Sequence, residues 1–287
     1  MQAHSLSQKN VAKAIGENQG GLNQWLQGKY TGNSDKFDLA VQAYLEREMG
    51  KLAISKLEEV LVKTETTKRI LFHAQSVHES LDNGLLYGNA GVGKTTALKY
   101  YAQTHPDVIL IEGMPTYTPA VVIKTIAKRV GVPIAGSLND MNEAILERLI
   151  GSGRMIIVDE AENLSTRALE ILRRLHDIAK VGLLLAGTPR LLVNLMGRHG
   201  ELAQLHSRVG KTLQLPERVA DEELVQIARV TLSDVSDVLI GEIVKCANGS
   251  PRRLWKMMDN CNRLSKQHQE PINADMVAAA KQYLLGS

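Results

Sequence analysis

The eight residues Gly88-Asn89-Ala90-Gly91-Val92-Gly93-Lys94-Thr95 constrain this chain more than any others. They match the pattern G-x-x-x-x-G-K-[ST], in which glycines let successive backbone N–H groups turn inward around phosphates. That chemistry needs a strand before the loop and a helix after it, and both are present. Leu85-Leu86-Tyr87 reads as a buried strand, and a helical pattern opens at Lys94. The helix N-terminus adds partial positive charge to the cradle. Lys94 is expected on the β- and γ-phosphates, the Thr95 hydroxyl on Mg2+, and Thr96 stands beside it in the same turn. The expected ligands are therefore ATP and Mg2+.

A second motif belongs with the first. Met155-Ile156-Ile157-Val158-Asp159-Glu160 is an apolar strand ending in two carboxylates. Asp159 is expected to hold Mg2+, directly or through water. Glu160 is expected to orient and deprotonate the attacking water.

Around these motifs the texture is that of an α/β protein. The runs Leu85–Tyr87, Val108–Ile111, Met155–Val158, Leu183–Ala186 and Thr212–Leu215 alternate with helical stretches and read as five buried parallel strands. Aromatic residues make up only 4% of the chain, so the core must be built of Leu, Ile, Val and Ala. Residues before about 62 read as helices. Val11, Ala14 and Ile15 form one apolar face, Leu22, Trp25 and Leu26 another, and Leu39, Val41, Tyr44 and Leu45 a third. The run Lys63-Thr64-Glu65-Thr66-Thr67 is the best linker candidate, and after Pro216 the pattern is helical again. The expected domains are 1–62, 63–216 and 217–287.

A phosphate loop followed by a strand tipped with Asp-Glu resembles the AAA+ ATPases. The resemblance implies a sheet of order 5-1-4-3-2 and a small helical lid. It also places a first sensor at Thr188, at the end of the fourth strand, although Asn is more usual there. In Asn248-Gly249-Ser250-Pro251-Arg252-Arg253 it places a second-sensor arginine at Arg252, with Arg253 in reserve. An arginine finger reaching a neighbouring subunit's site falls on Arg208, with Arg198 as the alternative. Hydrolysis would then require a homo-oligomer.

Near the N-terminus, Ala12, Gly16 and Leu22 stand at the spacing of the helix-turn-helix of phage-repressor proteins. A small residue lets two helices touch, a glycine turns the chain, and an apolar residue plugs the second helix into the core. That resemblance puts Gln19, Asn23 and Gln24 toward base edges and Lys29 toward a phosphate. Gly20 and Gly21 are unusual in a recognition helix, since they offer no side chain and cost helix stability. Weak or loosely specific DNA contact is the expectation.

A repressor-like N-terminal module, one AAA+ core and a short lid are most similar to the family of phage Mu transposition protein B and related transposon target-selector ATPases. This resemblance implies ATP-dependent, non-sequence-specific assembly on double-stranded DNA as a ring or helical filament, recruitment of a transposase, and release by stimulated hydrolysis. It implies DNA contacts from loops lining the assembly, here at Thr118, Lys124, Arg129 and Ser137. A helicase loader or replication initiator shares the same core and stays open as an alternative, as does a DNA-binding switch that uses ATP only as a ligand. Glu160 argues against the last.

The bulk properties permit this reading without demanding it. The net charge is +3 and the pI about 8.7, compatible with a nucleic-acid partner. Cys246 and Cys261 lack metal-site spacing and read as small buried thiols in a reducing compartment. No apolar run approaches the roughly 18 residues of a membrane span, so a cytoplasmic protein is expected.

Overall fold

The computed structural model describes residues 7–32, 34–53, 61–196 and 209–285. The chain divides into two compact units: 1–58 with 262–270, and 59–261 with 271–287.

The first unit contains helices α1 (Gln8–Ala14), α2 (Gln19–Leu26) and α3 (Ser34–Ala53). Ser7 caps α1 by accepting from the Asn10 N–H at 3.2 Å. Asn18 caps α2 by accepting from the Gly21 N–H at 2.7 Å. Val11, Ala12, Leu22, Phe37, Val41 and Tyr44 form its core. Ala14 is exposed, and Ala12 beside Val11 is buried in its place. Leu39 is also exposed, two residues from both Phe37 and Val41 and so on the face of α3 opposite the stripe that carries Phe37, Val41 and Tyr44. A side chain on Gly20 would crowd the capping Asn18 Oδ1 at 3.3 Å, whereas one on Gly21 would meet Asn18, Tyr30 and Phe37 only at ordinary contact distances.

The second unit is built on five parallel strands, β1 (Asn83–Tyr87), β2 (Val108–Glu112), β3 (Met155–Asp159), β4 (Gly182–Gly187) and β5 (Lys211–Gln214). They lie in the order β2-β3-β4-β1-β5, which is 5-1-4-3-2 read from the other edge. The central strands β3 and β4 are buried at every position, as uninterrupted apolar runs require when helices cover both faces. The edge strand β5 alternates between half-buried and exposed positions. It ends one residue earlier than its sequence suggests. Leu215 leaves the strand, but its N–H still donates to the Tyr87 carbonyl at 2.8 Å.

The helices of this unit up to the last strand are α4 (Glu65–Ser80), α5 (Lys94–Thr104), α6 (Pro119–Val130), α7 (Leu138–Leu149), α8 (Thr166–Ala179) and α9 (Pro189–Met196). After the last strand, in the segment expected as the lid, come α10 (Asp221–Thr231), α11 (Asp237–Ala247), α12 (Pro251–His268), whose residues from Asn262 fall in the first unit, and α13 (Ala274–Leu285). Lys63 to Thr67 is not a free linker. Thr64 caps α4 by accepting from the Thr67 N–H at 3.3 Å. Thr64 and Thr66 are buried, and Glu223 of α10 accepts from the Thr66 N–H at 2.7 Å and its hydroxyl at 3.0 Å. Threonines and a single Glu read as solvated spacer in sequence, but their hydroxyls serve a helix start.

Cys261 is buried and Cys246 half-buried, both as free thiols, and burial pushes the Cys261 thiol up to about 11. Among the described residues no helix is long and apolar enough to cross a membrane, and no metal-holding group of His, Cys, Asp and Glu occurs.

Leu184 lies mid-strand in β4 and is fully buried, paired in register with Gly84 on one side and Ile157 on the other. Leu184→Ala should destabilise the protein by roughly 2–5 kcal/mol, since the sheet cannot collapse around the lost atoms. Chemical denaturation followed by circular dichroism measures this.

Candidate nucleotide site

The site forms at the carboxyl ends of the parallel strands, where doubly covered sheets bind ligands. β1 is hydrogen-bonded to β4 along its length, and the Gly88 N–H continues that ladder to the Gly187 carbonyl at 3.2 Å. The chain must then turn over the sheet edge. It does so with Gly91 at φ +85° and Gly93 at φ +99°, values that L side chains rarely adopt. Gly88 is also confined, because a side chain there would lie 2.7 Å from Leu215.

Lys94 opens α5 and is 8% exposed. Its ammonium donates to the Gly88 carbonyl at 2.7 Å and the Asn89 carbonyl at 2.9 Å. Burial lowers its pKa, and the negative charge of Asp159, then of Glu162, opposes that shift. The motif thus holds a partly desolvated cation over a loop of inward N–H groups, which fits a polyphosphate.

A cavity of about 920 Å³ opens above the loop. Its wall contains Ala90 to Thr96, both carboxylates Asp159 and Glu160, Thr188, and Arg252 from the lid. Four segments far apart in sequence therefore converge on one space. Gly88 and Asn89 lie beneath it, and the Asn89 amide donates to the Glu217 carbonyl at 3.2 Å. Arg252, not Arg253, lines the cavity, and its N–H approaches the Gly91 carbonyl at 3.4 Å. The lining also includes the apolar Leu61, Val62, Val219, Ile227 and Trp255. A lining that offers both a cation and apolar side chains suits a nucleotide, whose phosphates and base differ in the same way.

Asp159 is buried at the tip of β3, and its Oδ1 accepts the Glu160 N–H at 3.0 Å. Glu160 turns with φ +52°, which points its exposed carboxylate away from the strand line. The Asn163 amide steadies it, donating to Glu160 Oε2 at 3.1 Å and to the Gly113 carbonyl at 3.2 Å. Glu162 and Asn163 carry no regular periodicity, and the single turn Ala161–Asn163 that directs them is visible only in three dimensions. Sequence reasoning assigned neither of them a role. Glu223 and Thr66 were missed for a similar reason, since 157 residues separate them.

The residues assigned to DNA do not lie on this cavity. Thr118 and Ser137 are the N-caps of α6 and α7, accepting from the Val121 N–H at 3.4 Å and the Asp140 N–H at 3.2 Å. Lys124 and Arg129 are exposed on α6 and, with Lys128, line a separate groove that includes Ile134. Gln19, Asn23, Gln24 and Lys29 are exposed in the first unit. Arg198 and Arg208 lie outside the described residues.

Residues 78–195 match the family described as AAA domain. Over 272 residues the chain is 26% identical to the Mu-like prophage FluMu DNA transposition protein B of Haemophilus influenzae, spanning 88% of this chain and 94% of that protein. Over 209 residues it is 30% identical to the ATP-dependent target DNA activator B of Escherichia phage Mu, spanning 71% of this chain and 66% of that protein. Among solved structures, the Aeropyrum pernix ORC2 protein in ADPNP and ADP complexes superposes with a TM-score of 0.61 at 19% identity, covering 81% of this chain and 71% of that one. The Thermotoga maritima RuvB branch-migration motor superposes with a TM-score of 0.53 at 21% identity, covering 80% and 72%. At these identities the structural likeness speaks to fold alone.

Lys94→Ala should abolish nucleotide binding, because it removes the buried cation of the cradle. Glu160→Gln should keep binding but lower turnover by about 10²-fold or more, the scale for loss of a general base. Fluorescent-nucleotide titration and phosphate release, run on both variants, separate the two effects.

Proposed function

We propose that this chain, which belongs to the AAA+ ATPases and resembles phage Mu transposition protein B, assembles with ATP on target duplex DNA without sequence specificity and there recruits and activates a transposase. The observation that carries the reading is the similarity along 88% of the chain to a protein named for DNA transposition, joined to a cavity that gathers the ATP-handling residues. The Mu relative is named an ATP-dependent target DNA activator.

The residues present fit Mg-ATP. Gly93 has open space where a side chain would stand, and Lys94 supplies a cation at the floor of the loop. Thr95 and Asp159 would hold Mg2+, which supplies charge neutralisation at the phosphate oxygens. Glu160 takes a proton from the attacking water, with Asn163 holding its carboxylate. Thr188 faces the same space from the β4 tip, and Arg252 brings the lid to the phosphate end. Arg208, with Arg198 as the alternative, enters a neighbour's site as the finger, which makes hydrolysis conditional on assembly.

DNA binding is carried by two surfaces. On α6, Lys124, Lys128 and Arg129 are exposed, and among the described residues no carboxylate pairs with them. Unpaired cations beside the Thr118 and Ser137 loops suit phosphates rather than base edges. The N-terminal helices, through Gln19, Asn23, Gln24 and Lys29, add weak contact as a helix-turn-helix module. A replication initiator or helicase loader, which shares the same core, is the second reading.

Electron microscopy with ATP and arbitrary duplex DNA is expected to reveal filaments coating the DNA. Small closed rings that bind a replicative helicase instead would support the second reading, and a monomer that stays off DNA would remove both. Lys124→Glu with Arg129→Glu should weaken binding to all duplexes alike and flatten the salt dependence by about one unit of slope per lost phosphate contact, read by fluorescence anisotropy across a salt series.

A further inference from the structure

The carboxylate of Glu162 has no role in the scheme above, yet it lies in the wall of the nucleotide cavity. Its Oε1 accepts the Thr188 N–H at 3.0 Å. That N–H lies beyond the sheet, because the β3–β4 ladder ends at Val158 and Leu185 and the β1–β4 ladder at Tyr87 and Gly187. No strand neighbour can accept from it, so the carboxylate supplies the acceptor that the sheet does not.

The link runs in both directions. The Glu162 backbone carbonyl accepts from the Asn194 amide of α9 at 3.1 Å. Thr188 stands immediately before α9, and its carbonyl accepts the Leu191 N–H at 2.9 Å. The turn that follows Glu160 and the helix that follows Thr188 therefore hold each other by a side-chain bond from each side. The Glu162 carboxylate rests against the end of β4, where a side chain on Gly187 would meet its Oε2. That oxygen is buried and has no hydrogen-bond partner among the described residues.

We propose that Glu162 is a positioning residue for hydrolysis: it clamps the β4 tip so that Thr188 is held at a fixed distance from Glu160 across the γ-phosphate position. The inference rests on the reading that Thr188 contacts the γ-phosphate or the attacking water. Glu162 acts through Thr188 and does not itself exchange a proton with the water. A carboxylate is suited to the task because it accepts a backbone N–H strongly, and its negative charge also supports the ammonium of Lys94 across the site.

The test is steady-state ATP hydrolysis by full-length protein with duplex DNA, alongside nucleotide affinity by fluorescent-analogue titration. Glu162→Ala should lower kcat by about 10- to 100-fold, the scale for a misplacement of around an ångström. KM and analogue affinity should stay within about threefold. Glu162→Gln retains an acceptor oxygen and should recover most of the rate, whereas Glu162→Asp keeps the charge but lacks the reach and should not. The Asp variant also serves if the Ala variant does not fold. In a double-mutant cycle Glu162→Ala and Thr188→Val should be strongly non-additive in kcat. Additive losses, or a fall in affinity matching the fall in kcat, would overturn the clamp. If Thr188→Val slows hydrolysis while Glu162→Ala and Glu162→Asp do not, the clamp is wrong and the reading of Thr188 stands. If Thr188→Val is silent, both fall.

Discussion

The site depends on keeping one cation out of water. Lys94 is nearly buried, and its ammonium is satisfied by the carbonyls of Gly88 and Asn89. A buried ammonium is costly unless paired and hydrogen-bonded. Here the carbonyls come from the loop that also points N–H groups at the ligand, and the opposing charge comes from Asp159 at the tip of β3 and Glu162 in the turn that follows it. The loop, the carboxylate tip of β3 and the β4 end are thus electrostatically one object. Displacing any of them leaves the cation poorly compensated.

The sheet order makes this arrangement possible. β4 lies between β1 and β3, so the phosphate loop and the Asp-Glu tip flank the strand that ends in Thr188. Each contributes from the same edge of the sheet because all five strands are parallel. The lid then closes the other side through short polar contacts: Glu223 on Thr66, and the Arg252 N–H near the Gly91 carbonyl. Such contacts are few and partly exposed beside a large apolar core. This is the pattern of a part that can move with nucleotide while the sheet stays rigid.

Much of this was legible in the chain. Uninterrupted apolar runs mark buried parallel strands, and all five appear where those runs lie, with only the end of β5 displaced. The phosphate loop and the two carboxylates are consecutive residues whose spacing carries their chemistry. Less legible were features that depend on partners distant in sequence. The Lys63–Thr67 stretch looked like spacer because its composition is polar, yet Thr66 is buried under a lid carboxylate. Ala12 and Ala14 are chemically identical, and only the docking of α1 on α2 decides which is buried.

The sequence by itself determined the phosphate loop, the paired carboxylates Asp159 and Glu160 at a strand tip, and the α/β class, because each follows from residues adjacent in the chain or repeating at a fixed period. The resemblance already preferred Arg252 to Arg253, but tertiary structure alone decided how Asn163 holds Glu160 and how Glu162 reaches the Thr188 N–H. Those choices turn on side-chain direction in a three-residue turn, where a rotation of one position replaces one residue with its neighbour. No one-dimensional pattern encodes that rotation, because packing between elements brought together by the fold sets it.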